Sequence, residues 1–201
     1  MKKILIYQDY VDHNNNAHNI TAFKKAVPDS NIEFCDADDI LNGCLTPEID
    51  LFVIPGGADL YFCEKLNGKP NQHIREYVET GGTYLGICAG SYYGCKNIEW
   101  AKNSPHQICE PRELQFFNGN AFGPIYEFLE DQNIEKSWDQ AVILKNEDDE
   151  TSTTLYRAGP YFSEPEDNST TVLARYAELK NTPPAILLCS VGKGRALLCG
   201  P

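Results

Sequence analysis

Residues 81–94, Gly-Gly-Thr-Tyr-Leu-Gly-Ile-Cys-Ala-Gly-Ser-Tyr-Tyr-Gly, constrain the fold more than any other stretch of the chain. Thr83–Ile87 reads as a short buried strand, because β-branched, aromatic and aliphatic residues follow a Gly-Gly turn. Cys88 then sits between Gly86 and Gly90 in a Gly-x-Cys-x-Gly pattern. That pattern has the form of a nucleophile elbow, a sharp strand-to-helix turn whose crowded backbone needs glycine on either side. Such a turn lifts the thiol above the strand end. It also sets the thiol at a helix N-terminus, where the dipole and free N–H groups lower its pKa. The other reading is an inert buried cysteine in a glycine-rich turn; the strand and Gly-Gly turn in front favour a reactive one. Cys88 is therefore expected to be the most alkylation-prone cysteine of the chain.

The segments before the elbow alternate in the manner of an α/β sheet. Residues 4–7 form a continuous apolar run, as a central parallel strand would. Residues 8–19 read as a polar loop with His13 and His18, either a ligand loop at the carboxyl edge of the sheet or an ordinary solvated loop. A helix over 20–27, a strand over Asn31–Cys35 and a weak acidic helix over 36–41 follow. Leu51–Ile54 is the clearest strand and stops abruptly at Pro55-Gly56-Gly57. Gly56 and Gly57 could bring backbone N–H groups close to a ligand and stabilise an oxyanion, although taken alone this is an ordinary strand-to-loop turn. Residues 71–80 carry Ile74, Tyr77 and Val78 at helical spacing, with Gly81 as the stop. Strand, helix and elbow strand make a βαβ unit.

Beyond the elbow the periodicity changes. Residues 98–117 mix charge, proline and aromatics, and 118–124 read as a glycine-asparagine loop. Strands are expected over 140–144, 153–157, Thr170–Tyr176 and 185–190, and a tight turn at 191–195 leads into a last strand over 196–199. Their close spacing points to antiparallel strands appended to a mostly parallel central sheet.

With 201 residues, 42% of them hydrophobic, the chain is expected to be one domain spanning residues 1–201. The net charge of −12 argues against a nucleic-acid partner, and no apolar run has the length of a membrane span or a signal-peptide core, so the expectation is a cytoplasmic protein. The eight cysteines include no Cys-x-x-Cys pair and none at zinc-finger spacing from a histidine, so a structural zinc site is not expected; no other metal and no cofactor is expected either. Cys189 and Cys199 lie in apolar runs and read as inert core residues. Oligomeric state is not legible.

Four motifs stand in order: 54–60 (Ile-Pro-Gly-Gly-Ala-Asp-Leu), the elbow 86–94, 112–117 (Arg-Glu-Leu-Gln-Phe-Phe) with Gly123-Pro124, and 192–195 (Gly-Lys-Gly-Arg) running into Leu198-Cys199-Gly200-Pro201. Over nearly the whole chain they resemble the domain at the N-terminus of eukaryotic biotin–protein ligases, which is itself similar to class I glutamine amidotransferases. The resemblance implies a flavodoxin-like three-layer α/β sandwich. It implies Cys88 as nucleophile on a small amide or acyl substrate, with the N–H of Ala89 and one from Gly56 or Gly57 holding the oxyanion. In the amidotransferases a His-x-Glu pair supplies the base, and in this family it follows the Gly-Pro that here is Gly200-Pro201, where the sequence ends. Either the chain is shortened or it lacks that base; a non-catalytic binding or regulatory module is then the alternative. His73 and His106 are poor substitutes on sequence grounds, and His13 and His18 only slightly better. Related peptidase/deglycase families often carry histidine directly after the cysteine, where Ala89 stands here.

Overall fold

The computed structural model describes residues 1–11 and 13–201, and the side chains of 13–15 lie outside the described set. The chain runs β1 (Lys3–Tyr7), α1 (His13–Ala26), β2 (Asn31–Cys35), α2 (Ala37–Leu41), β3 (Leu51–Ile54), α3 (Asp59–Leu66), α4 (Lys69–Glu79), β4 (Thr83–Ile87) and α5 (Ala89–Tyr93). It continues through β5 (Cys95–Trp100), β6 (Ile108–Pro111), β7 (Phe117–Gly123), β8 (Asp139–Lys145), β9 (Thr151–Arg157), β10 (Tyr161–Phe162), β11 (Thr170–Tyr176), β12 (Pro184–Val191) and β13 (Gly194–Cys199).

Nine strands form one mixed sheet in the order β2-β1-β3-β4-β13-β12-β11-β8-β9. From β2 to β13 every neighbouring pair is parallel, and from β13 to β9 every pair is antiparallel. This is the expected α/β architecture of a parallel core with antiparallel strands attached. The parallel core carries apolar residues on both faces, as sheets covered on both sides do. Leu5, Tyr7, Phe52, Ile54, Tyr84 and Leu198 point into the main core, against α2 to α5. Their neighbours Ile4, Ile6, Val53 and Leu85 make a smaller cluster on the opposite face, against Phe23 of α1.

Several segments depart from the sequence-based reading, among them β5, which runs into the stretch 98–117 read without strands, and β6 within it. The helix α1 begins at His13, so much of the expected loop 8–19 is helical. Residues 59–66, unassigned by pattern, form α3, whose buried Phe62 and Leu66 are spaced i, i+4. Most of the expected loop 118–124 is β7, which joins β10, β5 and β6 in a second, four-stranded sheet. Among the described residues no helix is long and apolar enough to cross a membrane.

The parallel strands β1, β3, β4 and β13 all end at one edge, at residue 8, Pro55, Cys88 and Gly200. In open α/β sheets ligands bind at that edge.

Candidate active site

Cys88 follows β4 with φ 50° and ψ −106°, a left-handed backbone conformation that is unusual for a residue with a side chain. Holding it there costs roughly 1–3 kcal/mol, which the surroundings must offset. The Cys88 N–H donates to the Cys199 carbonyl at 2.9 Å, and its own carbonyl accepts from the N–H groups of Ser91 and Tyr92 at 3.0 and 3.1 Å. The Ser91 hydroxyl adds a bond to the same carbonyl at 2.7 Å. The flanking glycines are required sterically. A Cβ on Gly90 would lie 1.9 Å from the Ile54 carbonyl oxygen, and one on Gly86 would lie 2.3 Å from the Gly90 carbonyl oxygen. The elbow therefore presses its first helical turn onto the end of β3, bringing the Pro55–Gly57 turn beside Cys88.

A cavity of about 630 Å³ opens over this junction, lined among others by Gly56, Gly57, Cys88, His18, Arg157 and Pro201. Ala89 lines an adjoining cavity of about 400 Å³ that also includes Gly57 and Cys88. The residues singled out from sequence thus meet at the carboxyl edge, and Pro201 lies at the same cavity wall. Below the Gly57 turn, Asp59 opens α3 and pairs with Arg112, which is only 2% exposed. Arg112 Nε donates to Asp59 Oδ2 at 2.9 Å, while Nη2 lies 2.8 Å from the same oxygen as a contact of charge, without an aligned hydrogen bond. Burial pushes the Asp59 carboxyl up despite the pull of the Arg112 guanidinium.

The electrostatics of the thiol correct the sequence-based expectation. Burial pushes the Cys88 thiol up to about 11; the Ala89 N–H pulls it down, the Asp59 carboxylate pushes it up, and the Arg157 guanidinium pulls it down. Desolvation is the largest of these influences and exceeds the pull of the Ala89 N–H at the start of α5. At neutral pH Cys88 rests as a thiol, with Sγ donating to the Arg157 carbonyl at 3.3 Å. Cys109, by contrast, is exposed, whereas Cys88 is half-buried.

The histidines separate clearly. His18 is exposed on α1 and lines the larger cavity. His13 has its side chain outside the described residues. His73 contacts the Ile40 carbonyl at 3.0 Å through Nδ1, and His106 is exposed with Nε2 4.0 Å from Glu135; neither lines either cavity.

Sequence reasoning missed the wall opposite the elbow. Arg157, Ala158 and Gly159 close over Cys88 from the end of β9, and a Cβ on Gly159 would lie 1.7 Å from the Gly200 carbonyl oxygen and 3.5 Å from Cys88 Cα. Ala158 has φ 59°, so the chain turns sharply there. The Gly159-Pro160 step after an expected strand was the signal available. Trp138, which lines both cavities, lies in a segment without pattern.

The family model described as "Biotin-protein ligase, N terminal" matches residues 2–201. An uncharacterized protein of Chlamydia muridarum is 33% identical over 206 residues, covering 100% of this chain and 80% of that protein. A biotin–protein ligase of Schizosaccharomyces pombe is 31% identical over 179 residues, covering 87% of this chain but 28% of the ligase. Among solved structures, β-galactosidase from Bacillus circulans sp. alkalophilus matches with TM-score 0.56 and 9% identity, over 99% of this chain and 28% of that one. A candidate GMP synthase component from Thermoplasma acidophilum matches with TM-score 0.49 and 14% identity, over 99% of this chain and 83% of that one. The likeness to the galactosidase is one of fold. On sequence, the chain belongs to the family of the biotin–protein ligase N-terminal domain.

Proposed function

We propose that the protein carries out acyl transfer or hydrolysis on a small amide or acyl compound, with Cys88 as the nucleophile. The observation that carries this reading is the strained, positive-φ Cys88 at the junction of two cavities, facing a Gly-Gly turn. Strain of this kind persists where the surroundings over-determine it, which is common at catalytic sites. In the reaction Sγ loses its proton and attacks the carbonyl carbon. The oxyanion takes N–H bonds from Ala89 and from Gly56 or Gly57, and the amine leaves with a proton. Water then cleaves the thioester, so that amide and water give acid and amine. His18 is the histidine at the cavity wall among those described. A His-x-Glu after Pro201, as the family resemblance implies, would also start from that wall.

A second reading is a binding or regulatory module without turnover. It is favoured by the thiol itself, pushed up to about 11 and donating to the Arg157 carbonyl. Steady-state hydrolysis of simple amides and thioesters discriminates the two, comparing the chain, Cys88→Ser, and the chain extended by His-Pro-Glu. The enzyme reading expects Cys88-dependent turnover that the extension raises by about 10²–10⁴, the usual contribution of a positioned general base. Rates that are the same in all three proteins favour the module.

A further inference from the structure

The smaller cavity differs in character from the larger one. Tyr92, Ile98, Trp100, Ile108, Leu60 and Trp138 supply its walls, and it reaches Cys88 at one end. Its volume of about 400 Å³ falls within the range of small-molecule pockets, ~300–1,000 Å³. The aromatic polar atoms there are engaged elsewhere. The Tyr92 hydroxyl donates to the Ala158 carbonyl at 3.3 Å, and Trp138 Nε1 donates to the Ile134 carbonyl at 2.7 Å. The charged members of the lining are in ion pairs, Asp59 with Arg112 at 2.8 Å and Arg157 with Asp139 at 3.0 Å. Trp100 packs edge-on to both Tyr92 and Trp138, with ring centroids 5.7 and 6.1 Å apart. Apart from the paired Asp59 and Arg157, the side chains this cavity offers an occupant are mostly carbon.

We infer that the smaller cavity is an acyl-group pocket, and that the substrate at Cys88 carries an aromatic or branched aliphatic acyl group rather than the α-amino-acid end of glutamine. This rests on reading Cys88 as a nucleophile. A ring entering the cavity exchanges water for tryptophan and isoleucine surface, which is favourable in proportion to the area covered. An α-ammonium and α-carboxylate entering it would leave water for mostly carbon walls whose two charged side chains already have partners, and charge is expensive to bury without a partner of its own. A methylene-sized difference in such a pocket already discriminates about 10–200-fold.

The test uses two chloromethyl ketones, one bearing a benzyl group and one bearing the amino-acid end of glutamine. The Cys88 thiolate attacks the chloromethyl carbon, the C–S bond forms, chloride leaves with the C–Cl electron pair, and the thiol proton goes to solvent. Rates of Cys88 labelling at about pH 9, read by peptide mass spectrometry, are normalised to each reagent's rate with N-acetylcysteine. The inference expects the benzyl reagent to win by at least ~tenfold, equivalent to about 1.4 kcal/mol. That preference should fall in Trp138→Ala, whose side chain is 38% exposed, and in Ile108→Lys, which places a charge in the pocket. Equal rates, or a faster glutamine-like reagent, would overturn the acyl-pocket inference and leave the nucleophile standing. No reaction of Cys88 with either reagent, while Cys109 reacts with both, would overturn the nucleophile reading and this inference with it.

Discussion

Replacing Arg112 by methionine tests how the Gly57 turn and α3 are held beside the elbow. The Arg112 side chain is 1% exposed and its partner Asp59 14%, so the substitution leaves a nearly buried carboxylate without its counter-charge. Breaking a buried pair from one side typically costs about 3–5 kcal/mol. For a chain near 200 residues, where each kcal/mol shifts Tm by roughly 2–4 °C, that is a loss of roughly 6–20 °C. Asp59→Asn added to Arg112→Met removes the orphaned charge and should recover at least half of the loss. The pH dependence has a definite sign. Burial already raises the folded-state pKa of Asp59, and losing Arg112 raises it further. A group with a raised folded pKa contributes stability below its unfolded value, and that contribution is lost as pH rises through the folded value. The deficit of Arg112→Met relative to the native protein should therefore be largest near neutral pH and shrink on acidification, as Asp59 takes up a proton. Urea unfolding of the single and double variants at about pH 5 and 7 measures both effects. Equal deficits at the two pH values, or a double variant no more stable than the single one, would refute the argument.

The rate of Cys88 alkylation should rise about tenfold per pH unit from 7 to 10 without a plateau, because the thiol is pushed up to about 11. At pH 7 its thiolate fraction is about 10⁻⁴, against roughly 3% for an ordinary cysteine of pKa ~8.5, so labelling by iodoacetamide should be about 300-fold slower than at a free thiol; a plateau near pH 8.5 would contradict the burial argument. Linkage has the matching sign: the unfolded chain loses the Cys88 proton first, so stability should decline as pH rises from ~8.5 toward 11, read from melting curves. Gly90→Ala should destabilise by ~1–3 kcal/mol and push the elbow off β3, since its Cβ would lie 1.9 Å from the Ile54 oxygen; a melting temperature equal to that of the native protein would show that the contact can relax.

The parallel core was legible because 51–54 is a continuous apolar run that stops at Pro55-Gly56-Gly57 and 83–87 joins β-branched, aromatic and aliphatic residues between a Gly-Gly turn and the Cys88 elbow. The elbow was legible because its geometry requires glycine at 86 and 90, and the steric contacts of both positions bear that out. The second sheet was hidden. In β7 only Phe117 and Ala121 are buried, and Asn118, Gly119 and Asn120 look like a loop until β5 and β10 pair with them. The wall over Cys88 was equally hidden, because Arg157 comes from β9, 69 positions along the chain. The raised pKa of the thiol has the same origin. A helix N-terminus is visible locally, whereas the desolvation that outweighs it comes from distant residues.

The most direct test of the central claim is to look for an acyl group on Cys88. The protein is incubated at about pH 9 with a p-nitrophenyl ester of phenylacetic acid, quenched in acid and analysed by peptide mass spectrometry. The account predicts a phenylacetyl adduct on the peptide containing Cys88 that forms with release of p-nitrophenol and is absent in Cys88→Ser. An adduct confined to Cys109, or none at Cys88 while the ester is consumed at the rate seen without protein, would contradict it.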